Sequence, residues 1–185
     1  MNQAVVENKW ELCSHDVSTA FLQGLTFKEM QEMGFTNHRE VCLDIPKNSL
    51  QIFSLLPGMS DFDPERHVLR MLKGGFGLKD APRMWRIRLG QELEKFGMKP
   101  LQADKSIYCK WREVGAEHFE LTLILSTHVD DLKGGGRPEE VTALINQLEK
   151  SFGKGKLPKG KDGSEHCGVI HKQNDDYSVA THQNQ

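Results

Sequence analysis

The segment LILSTHVDDLKGGG, residues 123–136, limits the possible folds of this chain more than any other stretch. An apolar run over residues 121–129 predicts a strand that leads straight into two adjacent aspartates. Neighbouring carboxylates repel each other, and burying them costs roughly several kcal/mol each unless a cation compensates. Asp130 and Asp131 therefore belong either to a polar turn between two strands or to a magnesium site at a strand end.

Asp16 also follows a predicted strand, over residues 9–15. If strand ends meet at one edge of a sheet, Asp16 and Asp130 lie on adjacent strands, with Asp131 in the turn beside them. Three carboxylates this close are stable only around divalent cations. Magnesium prefers a few carboxylates, several waters and substrate phosphates, and a pair of such ions suits phosphoryl or nucleotidyl transfer.

The periodicity of apolar residues predicts two amphipathic helices, one from Pro82 to Gly97 and one that begins near Pro138. Predicted strands surround them, at residues 39–46 and 67–72, as a hairpin at 106–111 and 119–129, and as a last pair at 165–171 and 177–181. This order predicts an α+β fold, with an antiparallel sheet and two helices on one face.

Composition excludes several classes of protein. The chain has 185 residues, of which 37% are hydrophobic and 27% charged, and no window approaches the apolar length of a membrane helix. The N-terminus lacks the apolar core of a signal peptide. The four cysteines form no Cys-x-x-Cys pair, which favours reduced thiols over structural zinc. We therefore expect an intracellular protein, cytoplasmic or nuclear, that is not secreted and has no membrane partner.

The net charge of -2 does not by itself indicate a nucleic-acid-binding protein. Basic residues nevertheless crowd residues 73–88 and residues 154–161. Such stretches are either local faces that hold phosphates or a solvated helix face and a flexible loop.

Three blocks in the order DVSTAFLQG, GFGLKDAPRMW and HVDD make the chain similar to the reverse transcriptase of copia-type retrotransposons. That family carries the blocks DVxTAFLxG, YGLKQAPRxW and YVDD. The segments QADKSIYCK and EHCGVIHK extend the resemblance, so that it covers residues 9–181. It implies a polymerase palm-like sheet in one palm-centred domain, residues 1–185, with fingers truncated at the N-terminus and without thumb or RNase H.

The resemblance implies an RNA-directed DNA polymerase that transfers nucleotides from dNTPs to a primer 3′-hydroxyl. Two Mg²⁺ ions, for which Mn²⁺ can substitute, would serve as cofactors. The implied partners are an RNA or DNA template-primer, dNTPs and other segments of a Pol polyprotein, such as RNase H and the integrase that carries out DNA integration.

The roles of the first and third blocks follow from the same resemblance. Asp16, Asp130 and Asp131 would be the catalytic metal ligands, and the Val17 carbonyl would help to hold the nucleotide-bound ion. Phe21 stands where the family places an aromatic residue that blocks a ribose 2′-hydroxyl. The alternative for Phe21 is an ordinary core position.

The second block would shape the floor under the incoming nucleotide and template. Gly77 would allow close approach of the backbone. Lys79 and Arg83 are candidates for phosphate or template contact, or alternatively solvate the start of a helix. Lys154 or Lys156 lies where this polymerase class keeps a lysine that protonates pyrophosphate, and the spacing does not choose between them.

Several residues depart from the family pattern without removing a predicted metal ligand. His128 replaces a tyrosine near the metals or the primer end, where its protonated ring would repel magnesium and lower activity at mildly acidic pH. Asp80 replaces a glutamine and adds negative charge near template phosphates. Lys133 and the three glycines after it are expected to weaken the returning strand and loosen the hairpin.

Two alternative functions stay open. One is a catalytically inactive retrotransposon remnant that at most binds nucleic acid, which the truncations favour. The other is a magnesium-dependent phosphohydrolase, which leaves the GLKDAPR block without a role. The intact aspartates favour ancestry in the polymerases.

Overall fold

A computed structural model describes residues 1–160, 165–166 and 168–183 of the chain. Its α-helices are α1 (Asn2–Glu7), α2 (Phe27–Glu32), α3 (Leu50–Phe53), α4 (Ala81–Lys95) and α5 (Pro138–Phe152), with 3₁₀ turns at Ala20–Gln23 and Lys47–Ser49. Its strands are β1 (Leu12–Asp16), β2 (Cys42–Leu43), β3 (Leu69–Arg70), β4 (Lys99–Pro100), β5 (Ile107–Gly115), β6 (His118–His128), β7 (Asp131–Gly136), β8 (Glu165–His166), β9 (Val169–Gln173) and β10 (Val179–His182).

The main sheet has five antiparallel strands in the order β1-β7-β6-β5-β4. The predicted hairpin is confirmed as β5 and β6, and a second hairpin joins β6 to β7. The α+β fold class predicted from the sequence is therefore confirmed. Among the described helices, none has both the length and the apolar character that a membrane crossing requires.

Helices α4 and α5 cover one face of this sheet, as their apolar periodicity predicts. Each has a proline in its first turn, where the missing N–H has no partner to lose. The shared core consists of buried side chains from both helices and from β6 and β7, among them Trp85, Leu89, Leu93, Leu123, Leu125, Leu132, Leu144, Leu148 and Phe152.

A short helix that the sequence analysis did not predict, α1, covers part of the opposite face. Its Val5 is fully buried and shares a second apolar cluster with Trp10, Cys109 and Ile124. Both faces of the sheet are thus partly covered, whereas helices were expected on one face.

The three glycines of β7 lie where neighbouring strands leave no room for a side chain. A Cβ at Gly134 would stand 2.0 Å from the Ile124 carbonyl oxygen, and one at Gly136 would stand 2.7 Å from that of Thr122. Strand β7 is also hydrogen-bonded on both sides, to β1 and to β6. The expectation that these glycines weaken the returning strand is wrong, because they permit its close packing.

Smaller sheets account for the other predicted strands. The predicted last pair is present in part, because β9 pairs with β10. The single strand predicted over residues 165–171 is instead divided into β8 and β9, which pair with each other, so that the order is β10-β9-β8; residue 167 lies outside the described residues. Strands β2 and β3 pair with each other but are shorter than predicted. The Gln173 side chain ties the C-terminal sheet to the main one, because it accepts from Leu12 N–H at 2.8 Å and donates to the Trp10 carbonyl at 3.0 Å.

Replacing Gly134 by alanine tests the close packing of β7. We expect Gly134→Ala to lower the free energy of unfolding by about 3 kcal/mol, because the added methyl group forces β6 and β7 apart. Chemical denaturation followed by circular dichroism measures the change. Gly115→Ala is the matched control, since nothing lies within 4 Å of its Cβ position; equal losses in the two variants would contradict the account.

Candidate metal centre

Three carboxylates meet at one edge of the main sheet. Asp16, Asp130 and Asp131 each offer an oxygen atom, and these three atoms lie within 4.8 Å of one another. Asp16 and Asp130 are exposed, and Asp131 is half-buried. The structure thus brings together the three predicted ligands.

The pairing of these aspartates differs from the prediction in one respect. Asp131 begins β7 and is the strand partner of Asp16, whereas Asp130 lies in the turn. The expected pair was Asp16 with Asp130. The backbone of Val129 is left-handed, with a φ of 54°. Side chains therefore stop alternating between the two faces of the sheet after His128, and the face of Asp130 cannot be inferred by counting residues along β6.

Hydrogen bonds from the other two sequence blocks hold this turn. The Trp85 indole N–H, from the second block, donates to the Val129 carbonyl oxygen. The Val17 N–H, from the first block, donates to the Asp130 carbonyl oxygen at 2.9 Å. Val17 and Trp85 are both buried, so the donors of these bonds are fixed by the core. The three blocks therefore contact one another at the carboxylates.

The neighbouring carboxylates raise the affinity of Asp16 for a proton or a cation. The pKa of Asp16 lies above its usual range because of partial burial and, after that, the negative charges of Asp130 and Asp131. A divalent cation would remove this repulsion. Clustered carboxylate oxygens that remain accessible to water fit Mg²⁺, a hard cation that keeps several water ligands.

The residues after α5 run antiparallel to the end of β1 and to the residues that follow it. Backbone bonds join Ser18 N–H to the Lys156 carbonyl at 2.9 Å and Asp16 N–H to the Pro158 carbonyl at 3.3 Å. Leu157 belongs to the buried core on the helix face, and Lys156 before it is half-buried. Lys154 precedes this paired segment and is exposed.

Lys159 lies further along the same segment. Its backbone forms an isolated antiparallel β-bridge with His15, and both residues line a cavity between β1 and α5. Burial lowers the pKa of His15, which favours its neutral imidazole.

Phe21 lies at the border between core and surface. It is half-buried against the main apolar cluster, and its ring meets the Phe76 ring edge-on at a centroid distance of 5.8 Å. Phe76 is 71% exposed. A packing role and a role at the nucleotide are both compatible with this position.

The second block is only partly directed at the site. Gly77 has a φ of 84° and open space at its Cβ position, so glycine is required there by conformation and not by close contact. Lys79 is exposed. The Arg83 guanidinium lies over the Phe35 ring, 5.3 Å from its centroid, away from the carboxylates. Asp80 forms an ion pair with Arg39, which offsets its charge.

A histidine that the sequence analysis did not single out lies beside His128. The buried His166 has its Nε2 atom 3.2 Å from Ser126 Oγ, and its ring centroid is 6.3 Å from that of His128. The pKa of His166 is lowered by burial, then by Lys133 and His128. No metal-ligand spacing marks His166, so only the long-range fold reveals it. His128 itself is exposed and is the strand partner of Asp131.

Comparison with known proteins gives one match to a retrotransposon protein. The chain is 26% identical over 148 residues to the "Retrovirus-related Pol polyprotein from transposon RE1" of Arabidopsis thaliana. The match covers 80% of this chain but 8% of that protein. No family model matches the chain, and no solved structure does. The similarity supports an origin of the chain in a retrotransposon Pol polyprotein.

Neutralising one carboxylate tests the repulsion within the cluster. With metal removed by EDTA, Asp130→Asn should raise the melting temperature at pH 7 by about 2 °C. The gain should shrink as the pH falls through the raised pKa of Asp16, because protonated carboxyls no longer repel. Thermal denaturation monitors both effects, with the exposed Asp175→Asn as control. An Asp130→Asn protein no more stable than the control would count against repulsion.

Proposed function

We propose that the chain is the catalytic palm of an RNA-directed DNA polymerase, the reverse transcriptase of a copia-type retrotransposon. The observation that carries this proposal is the meeting of Asp16, Asp130 and Asp131 at a turn whose backbone is hydrogen-bonded by Trp85 and Val17. A chance acidic turn would not explain why three separate sequence blocks converge there. The similarity to a retrotransposon Pol polyprotein supports the same assignment.

The three carboxylates would hold two Mg²⁺ ions, or Mn²⁺ in their place. When bound, such ions activate an attacking oxygen and stabilise the charge on a leaving one. The reaction would join the primer 3′-oxygen to the α-phosphorus of a dNTP and break its bond to pyrophosphate. The chain's own contribution is to present oxygen ligands from β1, the turn and β7 with little freedom, because backbone hydrogen bonds fix all three segments.

Lys156 is the better candidate for the lysine that protonates the leaving pyrophosphate. Its carbonyl accepts a hydrogen bond at 2.9 Å from the N–H of Ser18, which lies two residues beyond Asp16. Lys154 lies before the segment whose backbone pairs with β1 and Ser18.

The remaining contacts of the proposed reaction involve the nucleotide sugar and the nucleic acid. Phe21 would exclude a ribose 2′-hydroxyl by steric clash, with Phe76 packed against its edge. Gly77 and Lys79 would lie under the template and incoming nucleotide, and Arg83 would reach a phosphate by leaving the Phe35 ring. The proposed partners are a template-primer, dNTPs and other Pol segments such as integrase and RNase H.

Primer extension tests the proposed function. The purified chain should extend a DNA primer on an RNA template in the presence of Mg²⁺, and Asp130→Asn should reduce the rate at least about 100-fold, because a metal ligand is lost. Asp175→Asn, an exposed turn residue, is the matched control. If the unaltered chain is folded but extends no primer on the RNA template in the presence of Mg²⁺, the result would contradict the proposal and identify an inactive remnant.

A pair of lysine variants tests the assignment of the general acid. We expect Lys156→Leu to lower the extension rate about 100-fold and Lys154→Leu to leave it nearly unchanged, because Lys156 is hydrogen-bonded through its carbonyl to Ser18, close to Asp16 in the chain, and Lys154 lies before this paired segment. Single-turnover nucleotide incorporation measures both rates. The reverse order of the two effects would exclude Lys156.

A further inference from the structure

The two-residue turn between β6 and β7 contains a backbone conformation that its sequence does not favour. Val129, the first turn residue, has a φ of 54°. Positive φ is rare for a β-branched residue, because its Cβ crowds the backbone, and glycine is usual at such a position of a hairpin turn. The Val129 side chain is exposed and contributes little packing. Interactions from outside the turn must therefore stabilise this conformation.

The Trp85 side chain supplies such an interaction. Its indole N–H donates to the Val129 carbonyl oxygen. Trp85 is buried in α4, and its ring packs against the Phe152 ring of α5 at a centroid distance of 5.1 Å. The hydrogen-bond donor is therefore held in place by both helices that cover the sheet, and the turn must bring its carbonyl to that donor.

Asp130 lies between two peptide groups that are each held by a hydrogen bond. Trp85 binds the carbonyl of the peptide group before Asp130, and the Val17 N–H donates to the carbonyl of Asp130 itself at 2.9 Å. Because peptide groups are planar, fixing both of them leaves the backbone of Asp130 little rotational freedom and sets the direction of its Cα–Cβ bond. Rotation of the Val129–Asp130 peptide group would break the bond to Trp85 and redirect the Asp130 side chain.

We propose that Trp85 is a positioning residue of the carboxylate cluster, whose indole N–H stabilises the left-handed backbone of Val129. The Asp130 carboxylate is thereby held close to those of Asp16 and Asp131 before any metal ion binds. This inference deepens the proposed function and rests on it, because it presupposes that the cluster binds divalent ions.

A test of Trp85 has to separate its hydrogen bond from the packing of its ring. The substitution Val129→Asn provides this separation, since asparagine adopts positive φ much more readily than valine and the position is exposed. If Trp85 acts through the conformation of Val129, its loss matters in the unaltered chain and much less in the Val129→Asn background. A role in packing alone would be equal in both backgrounds.

Titration of the full chain with Mn²⁺, followed by electron paramagnetic resonance, measures the effect of Trp85→Phe, which keeps an aromatic ring and removes the N–H. We expect Mn²⁺ binding to weaken about tenfold in the otherwise unaltered chain and less than about twofold in the Val129→Asn background. Equal weakening in the two backgrounds would overturn the inference.

Trp10→Phe is the matched control for the loss of an indole ring. Trp10 is also buried, but it belongs to the apolar cluster on the other face of the sheet. Its substitution should change Mn²⁺ affinity less than about twofold, because the hydrogen bond to the turn is kept. A loss as large as that of Trp85→Phe would show a general effect of core packing and would also overturn the inference.

Hydrogen exchange of the indole N–H groups tests the contact without any variant, so the inference stays testable if Trp85→Phe does not fold. In nuclear magnetic resonance spectra of the full chain with EDTA, the Trp85 indole N–H should exchange at least about 100-fold more slowly than that of the exposed Trp111. Exchange as fast as that of Trp111 would contradict the hydrogen bond to Val129 and the inference with it.

The outcomes separate this inference from the proposed function. If Asp130→Asn weakens Mn²⁺ binding but Trp85→Phe does not, the metal centre stands and the inference about Trp85 fails. If the unaltered chain binds no Mn²⁺, the metal centre and the inference both fail. Weaker binding in Trp85→Phe that Val129→Asn restores supports both.

Discussion

The register of β7 between β1 and β6 is the constraint on which the rest of the structure depends. A shift of one residue would move Asp131 and Lys133 to the helix face and Leu132 out of the core. The close approaches at Gly134 and Gly136 exclude any side chain there, so they favour this register over its neighbours. The same register makes Asp131 the strand partner of Asp16 and thereby assembles the candidate metal centre.

Much of this arrangement could be predicted from local patterns. Helices α4 and α5 have clear apolar periodicity, and both are present and contribute buried side chains to the core as this periodicity predicts. The three aspartates were identifiable because each lies at the end of an apolar strand. The pairing of Asp16 with Asp131 could not be predicted, because the left-handed backbone at Val129 interrupts the alternation of side chains between the two sheet faces on which the prediction relied. Likewise, only long-range backbone bonds distinguish Lys156 from Lys154.

The net charge of the chain does not show how its charged side chains are distributed in the structure. A chain with a net charge of -2 gathers three carboxylates at one edge of its sheet, and it buries Lys133 two residues further along β7. Helix α1, which was not predicted, covers part of the sheet face opposite α4 and α5, where Val5 packs against Gly135 of β7.

Anomalous scattering from crystals that contain Mn²⁺ and a deoxynucleoside triphosphate tests the central claim most directly, because it locates the ions without reference to activity. The account predicts manganese peaks bonded to carboxylate oxygens of Asp16 and of the Asp130–Asp131 pair, at roughly 2.2 Å, close to the distances of hard cations to oxygen. A carboxylate cluster without a manganese peak at saturating Mn²⁺ would contradict the account.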